Sequence, residues 1–254
     1  MQSDFNFTLL MLVFMRMTGC IVFSPVFGRR NLPVMAKVGL SLLLSGAVYP
    51  LVPDTAVEIS SVIVLMITAT KELLVGFIIG FIVNLFISVI VIGGEVIDLH
   101  MAMSIAHIYD PTSNVSMPVS GSFFYMMFIF IFFASNAHGT LIRLFAESCV
   151  VVPYGTEFFN TSTLGVVVGL FSRILIYAVQ MTIPMFAAAL ITEVGMGLLS
   201  KAAPQINVFV TNIQFKILAG FFVLFLLIQP MSSFLERLIG LMLDNVSNVV
   251  KLLM

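Results

Sequence analysis

Charged side chains are scarce in this sequence, and their scarcity excludes most classes of soluble protein. Asp, Glu, Lys and Arg make up 9% of the 254 residues, whereas hydrophobic residues make up 60%. A soluble domain carries about 25% charged residues. We therefore expect an integral membrane protein, or a subunit buried inside a membrane complex. No segment is polar enough to form a separate soluble domain, so a single domain is predicted for residues 1–254.

Other shortages exclude further classes. The chain has no excess of basic residues, since its net charge is −1, and this argues against nucleic acid as a partner. Its two cysteines, Cys20 and Cys149, lie in apolar surroundings, which indicates buried thiols. The first residues include Asp4 but no basic group, so we expect the first apolar run to be retained and not cleaved as a signal peptide.

Residue patterns that would support catalysis are also missing. His100 and His107 are too far apart for a helical zinc motif. Glu95 and Asp98 share a helical face by their i, i+3 spacing, but no nucleophile accompanies them. We therefore predict no enzymatic activity, no metal and no cofactor. A proton relay through Glu95, Asp98 and His100 is the one chemical alternative that stays open.

Long apolar runs are what the sequence does contain, and they predict an all-α membrane protein. Phe7–Phe27 and Val34–Val52 are each long enough for one span. Ser61–Met103 is too long for one, because a helix rises about 1.5 Å per residue and the hydrocarbon core is about 30 Å thick. We expect it to break near residues 68–72 or to continue beyond the membrane.

The last third of the chain predicts two more long helices, paired as a hairpin. The prolines Pro184 and Pro230 are expected to kink or interrupt them. Residues 244–254 have an amphipathic pattern. The two helices are joined by a Pro-containing polar connector, whose candidate functional residues are Lys201, Pro204, Gln205 and Asn207.

Ionisable residues interrupt the apolar runs. Such groups are costly in lipid, so they face a helix bundle, a partner or water. We expect them to hold helices or subunits together: Arg16, Lys71, Glu72, Glu95, Asp98, Arg143, Glu147 and Glu193. Gly76 and Gly80 continue the Glu72 stripe and form a GxxxG pair, which lets another backbone approach closely. Whether this seam packs inside the chain or against another subunit stays open at this point.

The most unusual stretch is Gly93–Pro118. Asp110-Pro111 and Ser113-Asn114 predict that the helix stops and a loop follows. This loop is half apolar, and an exposed backbone cannot face hydrocarbon because its amides would lack partners. We therefore expect the loop to be packed inside protein or to line a water-filled passage. Nearby methionines suggest either core filling or a compliant seal.

A set of motifs, in this order and spacing, carries a resemblance over nearly the whole chain: Arg16, Pro25-Val-Phe, Pro33, Lys71-Glu72, Gly76, Gly80, Gly94-Glu95-Val-Ile-Asp98, Asp110-Pro111, Asn136-Ala137-His138-Gly139, Pro153-Tyr154-Gly155 and the run from Gly197 to Phe209. With these motifs the chain resembles the FliR/MopE/SpaR family of type III export-apparatus membrane proteins.

The resemblance implies a function, a location and partners. It implies a core subunit of the flagellar export gate, which passes unfolded proteins across the bacterial inner membrane at the flagellar basal body. The implied partners are FliP-type and FliQ-type subunits, an FlhB-type protein, membrane lipid and the exported substrates. It also implies a FliP-like half near residues 1–160, followed by a FliQ-like hairpin and tail over residues 161–254.

The resemblance further implies that residues 103–118 form a plug that helps to close the export channel. The implied plug residues are Met103, Ser104, Ile105, Ala106, His107, Ile108, Tyr109, Asp110, Pro111 and Met117. Ala102 departs from the family, which often has glycine there, so we expect the hinge elsewhere, for example at Gly93-Gly94.

Two alternatives remain at this stage. One is an injectisome export-gate subunit of the same family. The other is a proton-coupled secondary transporter, because broken helices and buried carboxylates also fit that class.

Overall fold

The computed structural model describes residues 6–29, 32–53, 61–104, 118–155, 161–205 and 207–253. These residues contain no strand, and they form a short 3₁₀ turn and seven α-helices: α1 (Phe7–Phe23), α2 (Val34–Val48), α3 (Val62–His100), α4 (Val119–Ala134), α5 (Ala137–Val151), α6 (Thr161–Ala202) and α7 (Val208–Leu252). The prediction of an all-α protein is therefore confirmed.

Three of these helices are much longer than one bilayer span. α3, α6 and α7 contain 39, 42 and 45 residues. α3 has no break near residues 68–72. Of the two expectations for this run, a break or one long continuous helix, the structure therefore has the continuous helix. The predicted interruption of the last two helices is wrong, because α6 and α7 continue through Pro184 and Pro230. A proline removes one backbone hydrogen bond, but the remaining amides have no partner in lipid other than the helix itself.

Four segments are long and apolar enough to cross a membrane, and the number rises to five if α4 and α5 form one broken span. The four are Val34–Leu51, Val62–His100, Gly165–Ala202 and Phe209–Leu252. The chain is thus a multi-helix membrane protein. α4 ends at Ala134 and α5 begins at Ala137, and Asn136 between them adopts a left-handed conformation with φ 57°.

The helices contribute to two compact units. One unit draws on residues 1–86, 136–171 and 239–254. In this unit α1 and α3 approach at their glycines: a Cβ atom on Gly76 would overlap the Arg16 carbonyl, and one on Gly19 would lie 2.6 Å from the Leu73 carbonyl oxygen. The seam predicted along Gly76 and Gly80 is therefore an intrachain seam, since Gly80 also lies against Phe23 of α1.

The end of α7 belongs to the same unit and confirms the amphipathic pattern. Val246, Val249 and Val250 are buried, whereas Asp244 and Lys251 are exposed. Both cysteines are buried and unpaired, as predicted.

The other unit draws on residues 87–135 and 172–238. Here α3 packs closely against α4, because a Cβ atom on Gly94 would overlap the backbone of Gly121. Methionines fill the space beside other glycines. A Cβ atom on Gly93 would lie 2.7 Å from the Met181 sulfur, and one on Gly220 would lie 2.5 Å from the Met101 side chain.

The end of α3 is a Schellman motif. The Ala102 N–H donates to the Leu99 carbonyl at 3.2 Å, and the Met103 N–H donates to the Asp98 carbonyl at 3.0 Å. This motif requires a left-handed residue, usually glycine, and Ala102 takes that conformation with φ 58°. Alanine thus keeps the turn that glycine would form, at some cost in backbone strain.

Replacing Gly76 by alanine is expected to lower the free energy of unfolding by about 1–3 kcal/mol, because the added methyl group overlaps the backbone of α1. Gly39→Ala in α2 is the matched control, since nothing lies within 4 Å of its Cβ position. The control is expected to gain up to about 1 kcal/mol from helix propensity. Thermal unfolding in a mild detergent measures both, and equal shifts for the two variants would contradict the packing.

Replacing Ala102 by glycine is expected to raise stability by about 1 kcal/mol, because glycine adopts a positive φ without a steric cost. Ala187→Gly, at an exposed position inside α6, is expected to lower stability by a similar amount. A higher unfolding temperature for Ala102→Gly and a lower one for Ala187→Gly would identify Ala102 as the left-handed residue of the cap. A loss of stability in Ala102→Gly would show that the cap is not strained.

Candidate functional site

A buried ion pair lies at the centre of the first unit. Arg16 projects from α1 and Glu72 from α3, and neither side chain has any solvent exposure. The Arg16 Nε donates to Glu72 Oε2 at 2.7 Å, and the Arg16 Nη2 lies 2.5 Å from the same oxygen. In apolar surroundings a single charge would be very costly, so each residue makes the burial of the other possible.

The ion pair also holds the end of α5. The last carbonyls of a helix have no partner within that helix. The Arg16 Nη1 donates to two carbonyls at this end, that of Ser148 at 2.5 Å and that of the C-cap residue Val152 at 3.0 Å. The Ser148 carbonyl also accepts from the Val152 N–H at 3.2 Å. Arg16 therefore satisfies the open end of α5 while it neutralises Glu72.

The turn after α5 completes this centre. The Gly155 N–H donates to Glu72 Oε1 at 3.1 Å. The Arg16 guanidinium carbon lies 4.2 Å from the centroid of the Tyr154 ring, a distance typical of a cation–π contact. Burial raises the pKa of the Tyr154 hydroxyl far above its ordinary value, so the phenol stays neutral. Three helices and one turn are thus joined by two charged side chains.

The sequence indicates that Arg16 and Glu72 hold helices or subunits together, but it does not pair them with each other. The structure instead assigns Glu72 to contacts inside the chain. The signal in the sequence is an arginine in one apolar run and a glutamate in another, because the membrane interior favours the pairing of opposite charges.

A second polar centre lies where α3 ends and α4 begins. Asp98 is 2% exposed. Its carboxylate accepts hydrogen bonds from the backbone N–H groups of Val119 at 2.6 Å and Ser120 at 3.1 Å. The Ser120 hydroxyl lies 3.9 Å from the Met101 sulfur. Asp98 therefore caps α4 from a neighbouring helix.

Glu95 does not share the environment of Asp98. Their i, i+3 spacing predicts that they share a helical face. In the structure Asp98 is buried, whereas Glu95 is exposed. His100 packs with its ring centroid 5.2 Å from that of Phe186. Both Asp98 oxygens are occupied by backbone donors, so the described geometry does not favour a relay through these three residues.

The remaining predicted packing residues lie in varied positions. Lys71 is half-buried, whereas Arg143 and Glu147 are both exposed. Glu193 accepts from the Lys216 ammonium at 2.6 Å, with 51% of the Glu193 side chain exposed against 18% for Lys216. The described residues contain no group of three metal-binding side chains.

The connector between α6 and α7 lies where the sequence predicts it. Lys201 is in the last turn of α6. All four of its candidate residues are exposed: Lys201, Pro204, Gln205 and Asn207. The Asn207 carbonyl accepts from the Thr211 N–H at 3.1 Å and so begins α7.

Most of the predicted plug lies outside the described residues. These positions are Ile105, Ala106, His107, Ile108, Tyr109, Asp110, Pro111 and Met117. Of the described positions, Met103 closes the Schellman motif of α3, Ser104 follows it, and Pro118 precedes α4. Their roles as plug residues stay predictions.

The fold and the buried charges define an all-α membrane protein whose helices are joined by polar contacts inside the apolar region. A family model described as bacterial export proteins, family 1, matches residues 7–242, and the chain belongs to that family.

Individual relatives align over almost their full lengths. The chain is 28% identical to the flagellar biosynthetic protein FliR of Bacillus subtilis, over 97% of this chain and 96% of the relative. It is 26% identical to FliR of Escherichia coli, over 93% and 90%. It is also 27% identical to the Yop proteins translocation protein T of Yersinia pestis, over 98% and 95%.

Replacing either Arg16 or Glu72 by methionine is expected to cost about 3–5 kcal/mol of stability, because the remaining charge stays buried without its partner. The double variant is expected to cost much less than the sum of the two. Arg143→Met and Glu147→Met, on exposed positions of α5, are the controls and are expected to stay within about 0.5 kcal/mol. Additive losses in a double-mutant cycle, measured by unfolding in detergent, would show that the pair does not act as a unit.

Proposed function

We propose that this protein is a core subunit of a flagellar type III export gate, which passes unfolded proteins across the bacterial inner membrane. The observation that carries the proposal is the family match over residues 7–242, together with FliR relatives that align over nearly their whole lengths. The same match favours protein export over the transporter alternative.

The helices support assembly with other membrane subunits. α3, α6 and α7 are longer than a bilayer requires, since about 20 residues span the hydrocarbon core. α6 also exposes Gly165 and Gly169, whose Cβ positions have nothing within 4 Å. Small residues on an apolar helix let a neighbouring helix approach closely. We propose FliP-type and FliQ-type subunits, together with an FlhB-type protein, as the neighbours.

We propose that the segment between α3 and α4 seals the gate by apolar contact until substrate displaces it. Its sequence is half apolar and lies between two helices whose facing ends are held by Asp98. Loop backbone in a membrane is tolerated only inside protein or beside water. A seal at a channel provides both surroundings.

The proposal is tested by genetic complementation and by co-purification. Expression of this chain in a flagellated bacterium that lacks its own FliR is expected to restore swimming. Co-expression with FliP-type and FliQ-type proteins from the same bacterium is expected to yield one hetero-oligomer in native mass spectrometry. A stable homomer that ignores those proteins, together with no motility, would overturn the proposal.

Deletion of residues 105–109 is expected to make the membrane permeable to ions while the complex still assembles, because the apolar contact of the seal is lost. Growth inhibition and ion flux in vesicles measure the leak. A second variant replaces the same five residues by glycine and serine, which keeps the length of the segment but removes its apolar surface, so it is also expected to leak. An assembled complex with unchanged conductance in both variants would contradict the seal.

An injectisome gate is the second candidate, because the chain is also similar to the Yersinia translocation protein. Parallel complementation separates the two candidates. Rescue of injectisome secretion without rescue of motility would favour the injectisome.

A further inference from the structure

Asp98 bonds to the main chain on both sides of the segment that joins α3 to α4. Its backbone carbonyl accepts the Met103 N–H at 3.0 Å, just before that segment. Its carboxylate accepts the N–H groups of Val119 and Ser120, just after it. One residue therefore holds both ends of a segment whose described neighbours are Ser104 and Pro118.

The start of α4 depends on this carboxylate. Pro118 occupies the N-cap position, and its apolar ring offers no acceptor to the first N–H groups of the helix. The first N–H groups of a helix lack partners within that helix, and the helix dipole favours a negative charge there. Asp98 supplies both the acceptor and the charge from α3.

The backbones of the two helices fix where Asp98 can act. Gly94 lies one turn before Asp98, and a Cβ atom there would overlap the backbone of Gly121 and lie 3.4 Å from the Pro118 ring. α3 and α4 are thus in backbone contact at the level of the cap. A shift of either helix by one residue would remove the acceptor from Val119 and Ser120.

We propose that Asp98 is a positioning residue of the export gate, which clamps the start of α4 to the end of α3 so that these two helix ends stay together while substrate passes. This inference rests on the proposed export function. Separation of the ends would break both hydrogen bonds of a carboxylate that is 2% exposed, and would leave the two helix N–H groups without this acceptor. A passing chain therefore meets a fixed junction.

Hydrogen exchange tests the clamp itself, in the full chain in membranes. In Asp98→Ala the amides of Val119 and Ser120 are expected to exchange roughly tenfold faster or more, because both acceptors are lost. Asp98→Asn is nearly isosteric and keeps one acceptor oxygen, so an intermediate rate is expected. Asp244→Asn is the control, since that carboxylate is exposed on α7 and should leave both rates unchanged. Wild-type rates in Asp98→Asn and in every folded Asp98 variant would overturn the clamp.

Crosslinking tests whether the junction stays closed during export. Leu99 and Val119 flank the clamp and are 64% and 50% exposed, so cysteines placed there can react with a short bifunctional thiol reagent. The treated double-cysteine variant is expected to export at a rate within roughly twofold of the untreated variant, because a junction that stays closed does not have to open for the substrate. The treated single-cysteine variants control for modification alone.

Loss of export in the crosslinked double variant only would show that the junction opens, and would overturn the proposal. If even the untreated chain supports no export, the proposed function fails instead. The exchange rates would still decide whether Asp98 clamps the two helices.

Discussion

The requirement that buried charges and backbone groups find partners without water governs this structure. Arg16 and Glu72 meet it together, and they do so by recruiting the end of α5 and the turn at Gly155. Either residue alone would be a charge in an apolar interior. The placement of three helices in the first unit therefore depends on one interaction.

The same requirement explains the cap at Asp98. α4 begins after a proline, so its first N–H groups need an acceptor from elsewhere in the chain. Asp98 provides it and simultaneously accepts Met103 through its backbone carbonyl. Arg16, Glu72 and Asp98 thus connect helices by bonding to backbone groups at helix ends and in the turn after α5.

Small residues decide how closely the helices approach. Gly76 against α1 and Gly94 against Gly121 bring backbones into contact, while Met101 and Met181 pack beside other glycines. The methionines near the central stretch therefore include core-filling side chains, the simpler of the two interpretations of their abundance. Backbone proximity of this kind brings a single acceptor such as Asp98 within reach of two donors.

The hydropathy pattern alone determined the all-α membrane class and the pair of apolar helices in the last third of the chain, because these depend on local composition and on the length of a bilayer span. Only the tertiary structure decided that Arg16 pairs with Glu72, that Asp98 caps α4 while Glu95 stays exposed, and that α6 and α7 pass through their prolines. Partner choice depends on positions far apart in the chain. A periodic pattern indicates which face of a helix is polar. The packing of the other helices determines which residues that face contacts.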